Sequence, residues 1–234
     1  MNIQLSDHFT YGRLIRFVIP SVAMMIFTSV YGVIDGLFVS NFVGKTPFAA
    51  VNLIIPFCMI LGAFGFMFGT GGTALVAKTL GEGKKERANQ IFSMLIYVAL
   101  LLGILLALFG IVFVEPIALK LGADDAMMGY CVKYARVVLL GLPFFMLQNM
   151  FQSFLIAAEK PKMGLMVTIA AGVTNMVLDA LFMAVLGWGL PGAALATGLS
   201  QCVGGILPLL YFSRPNSSLL RLGKTRMDRP ALLK

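Results

Sequence analysis

Five stretches of this chain run for 18 to 34 residues without a charged side chain, at 17–34, 46–77, 89–114, 137–158 and 180–213. About 20 apolar residues in a helix cross the hydrocarbon core of a bilayer, so each stretch is long enough for one crossing. The last is long enough for two if it holds a turn. GWGLPG, at 187–192, supplies that turn, because Gly and Pro end one helix and Pro191 suits the first turn of the next. A sixth segment comes from splitting there, giving helices near 14–40, 47–78, 88–115, 127–158, 161–187 and 191–213, followed by a basic tail over 214–234. A closed barrel, the other way to span a bilayer, needs alternating strands of about 10 residues. No such alternation is visible. With 59% hydrophobic and only 12% charged residues, the expected fold class is an all-α integral membrane protein, a bundle of six transmembrane helices.

Basic residues favour the cytoplasmic side of a membrane, which orients the bundle. One set of connecting segments holds Arg13, Arg16, Lys78, Lys84, Lys85, Arg87, Lys160, Lys162 and, in the tail, Arg214, Arg221, Lys224, Arg226, Arg229 and Lys234. The other set holds only Lys45, Lys120, Lys133 and Arg136. Both termini are therefore expected to be cytoplasmic, in the inner (cytoplasmic) cell membrane. The net charge of +8 is accounted for by this topology and needs no nucleic-acid partner. The first apolar run is too long for a signal-peptide core and has no small-residue cleavage site behind it, so the first helix is expected to stay. Cys58, Cys131 and Cys202 are scattered through apolar segments, which suits packing more than disulfides or a metal site, and His8 has no ligating company.

Of the ten acidic residues, only Asp35 and Asp179 lie well inside spans. A carboxylate at such depth costs several kcal/mol, about 3 on insertion scales, unless paired, protonated or wet, and so marks a functional site by default. At 1.5 Å per residue, Asp35 lies roughly 8 Å and Asp179 roughly 12 Å from the outer ends of their helices. Thr197, on the returning sixth helix, lies roughly 9 Å below the same surface. Tyr31 is one turn before Asp35, and Asn175 one turn before Asp179, each pair on one helix face. Carboxylates, an amide oxygen and hydroxyls form a set of hard oxygens, suited to a proton shared between acids or to a small cation such as Na⁺ held by Asp35, Asn175, Asp179 and Thr197. The structural alternative is a hydrogen-bonded knot between helices.

Three motifs resemble one known family. NMVLDALFMAVLGWGLPGAALATGLSQ, at 175–201, is similar to the fifth and sixth helices of the multidrug and toxic compound extrusion (MATE) transporters. VIDGLFVSNFVG, at 33–44, resembles their first helix, and GTGGTALVAKTLGEGKKERAN, at 69–89, their second helix and the loop after it. The resemblance is to the amino-terminal lobe and implies one six-helix half of a twelve-helix, two-lobe transporter that alternates access on a proton or sodium gradient. It also implies that Asp35, Tyr31, Asn175, Asp179 and Thr197 form the coupling-ion site, and that Pro20 stands at a first-helix bend. A proline inside a helix frees a carbonyl and permits a kink in any case.

The expected function is an ion-coupled (H⁺ or Na⁺) antiporter exporting lipophilic, cationic drugs or toxic compounds, with no enzymatic step and no cofactor beyond the coupling ion. Its partners would be the bilayer, drug-like molecules and a missing second lobe or a homodimer mate. Gln148, Asn149 and Gln152 on the fourth helix are candidates to line a substrate cavity, although the Phe and Met around them suit packing. Two alternatives come from other classes. An intramembrane aspartyl protease would also pair two membrane aspartates, but its YD and GxGD signatures are missing, since Asp35 follows Ile34 and Asp179 follows Leu178. A non-transporting assembly subunit would leave the aspartates structural. The Gly32/Gly36 and Gly65/Gly69 spacings are expected to mark close helix contacts.

Overall fold

The computed structural model describes residues 11–223; the expectations for His8 and for the tail beyond 223 lie outside the described residues. Seven α-helices follow one another: α1 (Tyr11–Phe42), α2 (Lys45–Gly81), α3 (Lys85–Leu121), α4 (Asp125–Leu140), α5 (Leu142–Ala157), α6 (Pro161–Asp179) and α7 (Gly189–Ser213). A π-helical segment, Ala180–Val185, extends α6. Five spans are single long helices, and α4 with α5 makes a sixth that is bent by 55°. The described residues thus form an all-α bundle with up to six segments able to cross a membrane, the bent pair counting as one.

The bend corrects the expectation of one unbroken helix over 127–158. Pro143, in the first turn of α5, has no N–H to give the preceding turn, and its ring excludes the carbonyl four residues back. Gly141 lets α7 come close at the break, since a Cβ there would stand 3.1 Å from Gly198 Cα and 2.7 Å from Gln201 Oε1. GLP at 141–143 repeats the GLP of the turn at 189–191.

Lipid solvates apolar side chains as well as a protein core does, so membrane helices associate through close backbone contact. Gly65 and Gly69 supply it between α2 and α5. A Cβ at Gly65 would lie 2.6 Å from Met146 Cα, and one at Gly69 3.0 Å from Met150 Cα. Gly32 and Gly36 on α1 meet nothing within 4 Å, so that spacing is not a helix contact here. Toward the end of the bundle where the chain ends, Phe92 of α3 meets Phe154 of α5 and Phe212 of α7 edge-on, at 4.9 and 5.0 Å between ring centres. Phe212 stacks on Phe151 at 5.7 Å. These rings join α3, α5 and α7 as packing, the reading favoured for the Phe- and Met-rich fourth span.

After α7 the chain does not run free. Residues 214–223 fold back as a strap over the start of α3. Leu222 N donates to Phe212 O at 2.8 Å, Arg221 N to Asn89 Oδ1 at 2.9 Å, and Gly223 N to Ser93 Oγ at 3.0 Å. Leu220 is fully buried beneath them. In native-state hydrogen exchange the amides of Arg221 and Leu222 should therefore be protected. Leu220→Ala should release them and lower stability by about 2–5 kcal/mol, the usual cost of truncating a buried Leu. Coil-like exchange of these amides in the unmodified chain would show that the strap is not docked.

Candidate functional site

Register places the two buried acids together. α1 and α6 pack side by side in the same direction: a Cβ at Gly164 would stand 3.7 Å from Met24 Sδ, and one at Gly172 would stand 2.5 Å from Phe27 Cε1 and 3.0 Å from Tyr31 Cδ1. One and two turns beyond those contacts, on the same stripe of each helix, come Asp35 on α1 and Asn175 and Asp179 on α6. The turn between α6 and α7 sets the third side. A Cβ at Gly192 would lie 2.9 Å from Phe182 Cβ, so the returning α7 brings Thr197 level with 175–179.

The side chains follow this register. The carboxyls of Asp35 and Asp179 face each other within direct electrostatic reach, and Tyr31 lies beside Asp35. Tyr134 of α4, only 4% exposed, brings its phenol toward the Thr197 hydroxyl and within range of both carboxyls. Asp179 is fully buried and Asn175 is 2% exposed. Asp35 Oδ1, both carboxyl oxygens of Asp179, Asn175 Oδ1 and Thr197 Oγ1 are buried and receive no hydrogen bond from a protein donor, so Asp35 and Asp179 approach each other as two acceptors that a proton between them would join. Native interiors leave few polar atoms in that condition, since each costs about 1–3 kcal/mol. Among the described residues no three His, Cys, Asp or Glu side chains converge, so a cation here would rest on two carboxylates and neutral oxygens. Such a set fits a hard monovalent ion or a shared proton equally well.

Tyr134 was not among the residues singled out from sequence. Lys133 and Arg136 flank it, which reads as the outer rim, yet it shares a helix stripe with Gly141, where α4 touches α7. The π segment was also unforeseen. It begins directly after Asp179, and Leu186 N donates to Leu181 O at 2.9 Å, one residue further along than an α-turn would allow. π-turns recur at functional sites, where the extra residue re-aims the adjoining side chains. Here Phe182 is stacked on Trp188 at 5.0 Å between ring centres, closing the turn between the π segment and α7.

The remaining candidates are placed as follows. Pro20 is buried inside α1, and the helix runs through it. Gln148 and Asn149 are buried within the bundle, Gln148 against Gly204 of α7, and Gln152 is half-buried. Cys58, Cys131 and Cys202 are free thiols.

This arrangement can be compared with known proteins. The MatE family model matches residues 20–181. The chain belongs to the MATE family. It is 28% identical over 209 residues to the multidrug export protein MepA of Staphylococcus haemolyticus, covering 89% of this chain and 46% of that one. To MepA of Staphylococcus saprophyticus it is 27% identical, covering 87% and 45%. The chain thus spans about half the length of the curated relatives it matches. Crystal structures of a MATE protein in straight and bent conformations superpose with TM-scores of 0.86 and 0.85, each 25% identical, covering 93% of this chain and 49% of theirs. The bundle is therefore the size of one lobe of a two-lobe MATE structure. Members of the MATE family are transporters and not enzymes, which argues against the protease alternative.

Because Gly172 sets the α1–α6 distance, Gly172→Leu should wedge the helices apart and cost about 1–3 kcal/mol as overpacking. Gly71→Leu, where a side chain would meet open space, should stay within about 0.5 kcal/mol. Denaturant unfolding in detergent distinguishes them, and equal effects would refute the register.

Proposed function

We propose that this MATE lobe carries the coupling-ion site of an ion-driven antiporter that exports lipophilic, cationic compounds. The observation that supports the reading best is the cluster of buried, unpartnered oxygens shared by α1, α6 and α7. A structural knot would have paired its donors and acceptors. This cluster is rich in acceptors, and a proton or Na⁺ among Asp35, Asn175, Asp179 and Thr197, with Tyr31 and Tyr134 beside them, would satisfy it. Membership among multidrug exporters supplies the direction of transport.

In the proposed cycle the ion enters from outside and draws the two carboxyls together across the α1–α6 contact. α1 is the helix free to respond, because it is held chiefly by α6, while α2 to α5 and α7 are interlocked by glycine contacts and aromatic rings. Pro20 supplies a place for it to bend. Drug and ion then oppose each other's binding, and that coupling is reciprocal by thermodynamic necessity. A second six-helix lobe, or a second copy of this one, would form the opposite wall of the pathway. The positive-inside asymmetry supports a cytoplasmic position for both termini and the α2–α3 hairpin of a bundle lying in the inner membrane.

Two measurements test this reading. Asp35→Asn and Asp179→Asn in the complete transporter should each abolish gradient-driven efflux, and the double variant should be no worse than either, as expected of residues that act as a unit. The purified lobe should gain about 2.7 kcal/mol at an ion concentration of 100 Kd, and both single variants should lose that gain. Unimpaired efflux in either variant would overturn the shared site. For topology, a cysteine placed at Gly83 should resist an impermeant thiol reagent added outside intact cells, and its labelling from outside would invert the assignment.

A further inference from the structure

The three helices that carry the acidic site differ in character on its two sides. Toward the turn at 187–189, each leads to a buried apolar side chain. Val39 is one turn beyond Asp35 on α1, Met183 is four residues beyond Asp179 in the π segment, and Leu190 is two turns before Thr197 on α7. They are 2%, 4% and 2% exposed and belong to one buried apolar cluster. Val43, one turn further along α1, packs against that cluster and reaches the turn, its Cγ1 lying 3.9 Å from where a Cβ of Gly189 would stand. A cation crossing this layer would have to shed its water among side chains that offer no oxygen in return.

In the opposite direction the side chains are polar. Gln201 lies one turn past Thr197 on α7, and its Oε1 is buried, receives no hydrogen bond and stands 2.7 Å from the Cβ position of Gly141, at the break between α4 and α5. Gln148 follows, packed on Gly204 of α7. Its neighbour Asn149, 4% exposed, has a buried amide nitrogen with no acceptor. Where α2 meets α5, Ser153 Oγ lies 3.3 Å from the Cβ position of Gly69, and one turn beyond Gly69 the Thr73 hydroxyl is again buried without a partner. α2, α5 and α7 run in the same direction, so these groups succeed one another at intervals of one or two turns, about 5–10 Å, from the acids toward the end of the bundle where α3 begins. Buried polar atoms that the protein leaves unpaired are where ordered water is held, each molecule bonded to two to four such groups.

We infer that this polar line is the route by which the coupling ion reaches and leaves the acids, through water held by Gln201, Asn149 and Thr73, and that Val39, Met183 and Leu190 form a seal on the other side, a reading that rests on the coupling-ion site proposed above. The amides and hydroxyls of the line do not titrate and carry no net charge. They therefore pass a hydrated cation, or a proton along their waters, without trapping it, and the firm hold is left to the two carboxyls.

The test uses the purified chain with Cys58, Cys131 and Cys202 replaced by alanine and one new cysteine at a time. The probe is Ag⁺, a thiol-reactive monovalent cation, added in chloride-free detergent solution so that both ends of the bundle are wet. Asn149→Cys should react at least about tenfold faster than Met183→Cys, although both positions are 4% exposed, because a group off the water line is reached only during local opening. Thr73→Cys should likewise outpace Val39→Cys. Equal rates or the reverse order would overturn the route, and where a member of one pair fails to fold the other pair decides. In the complete transporter Thr73→Val, which keeps the shape and removes the hydroxyl, should slow gradient-driven efflux about fivefold, while the purified Thr73→Val chain keeps its ion-induced stabilisation. Thr70→Val, whose hydroxyl donates to Phe66 O at 2.8 Å within its own helix, should change neither. Absence of ion-induced stabilisation in the unmodified chain would sink the coupling-ion reading and this route with it. Its presence together with unchanged efflux in Thr73→Val would sink the route alone.

Discussion

Backbone contact between helices is what the rest of this molecule depends on. In lipid, helices gain little from hiding apolar side chains, and they hold together where small residues let their backbones meet. α2 and α5 meet over Gly65 and Gly69, α4 and α7 over Gly141 and Gly198, and α1 and α6 over Gly172. The first two contacts belong to a body interlocked further by Phe92, Phe151, Phe154 and Phe212. The third attaches one helix to that body from outside, and the two buried acids sit just beyond it.

That placement explains why carboxylates are tolerated so deep. A single aspartate on the lipid face of α1 would be expelled or neutralised. Turned onto α6 by the Gly172 contact, Asp35 instead faces a second acid, two hydroxyl-bearing side chains and an amide. The site therefore consists of groups that are costly to bury and that the protein's own donors do not fully satisfy.

Much of this was legible in the sequence, for physical reasons that can be named. A long uncharged run admits few structures in a bilayer, so the crossings could be read directly, and helical geometry alone put Asp35, Asp179 and Thr197 at one depth. The misses have a common cause. Gly141 and Pro143 form the same GLP signal that was read as a turn at 189–191, but at 141–143 the apolar run continues on both sides and the break disappears into it. Tyr134 joins the site because α4 stops at that break and packs on α7 at its own angle, which no periodicity within α4 reports. The π-turn after Asp179 contains neither Gly nor Pro; its cause lies in the fit of Phe182 against Trp188 and Gly192, a tertiary contact. Gln148 and Asn149, cavity candidates by type, are buried in this bundle, with Gln148 against Gly204 of α7.

In the proposed cycle α1 is the moving part. A packed interior switches between discrete arrangements and does not stretch, so a small change at the acids has to be absorbed where packing is thinnest. α2 to α5 and α7 offer no such place, being locked by glycine contacts at one level and rings at another. α1 presents Val18, Val22, Met25, Ile26, Val30, Val33 and Leu37 outward and touches the body mainly through α6. Its only interior interruption is Pro20, four turns before Asp35, where one backbone hydrogen bond is already missing. Under that proposal a bend there would cost α1 little of its own structure, and the half of the helix that carries Tyr31 and Asp35 would change its hold on Asn175 and Asp179 while the rest of the lobe stays fixed.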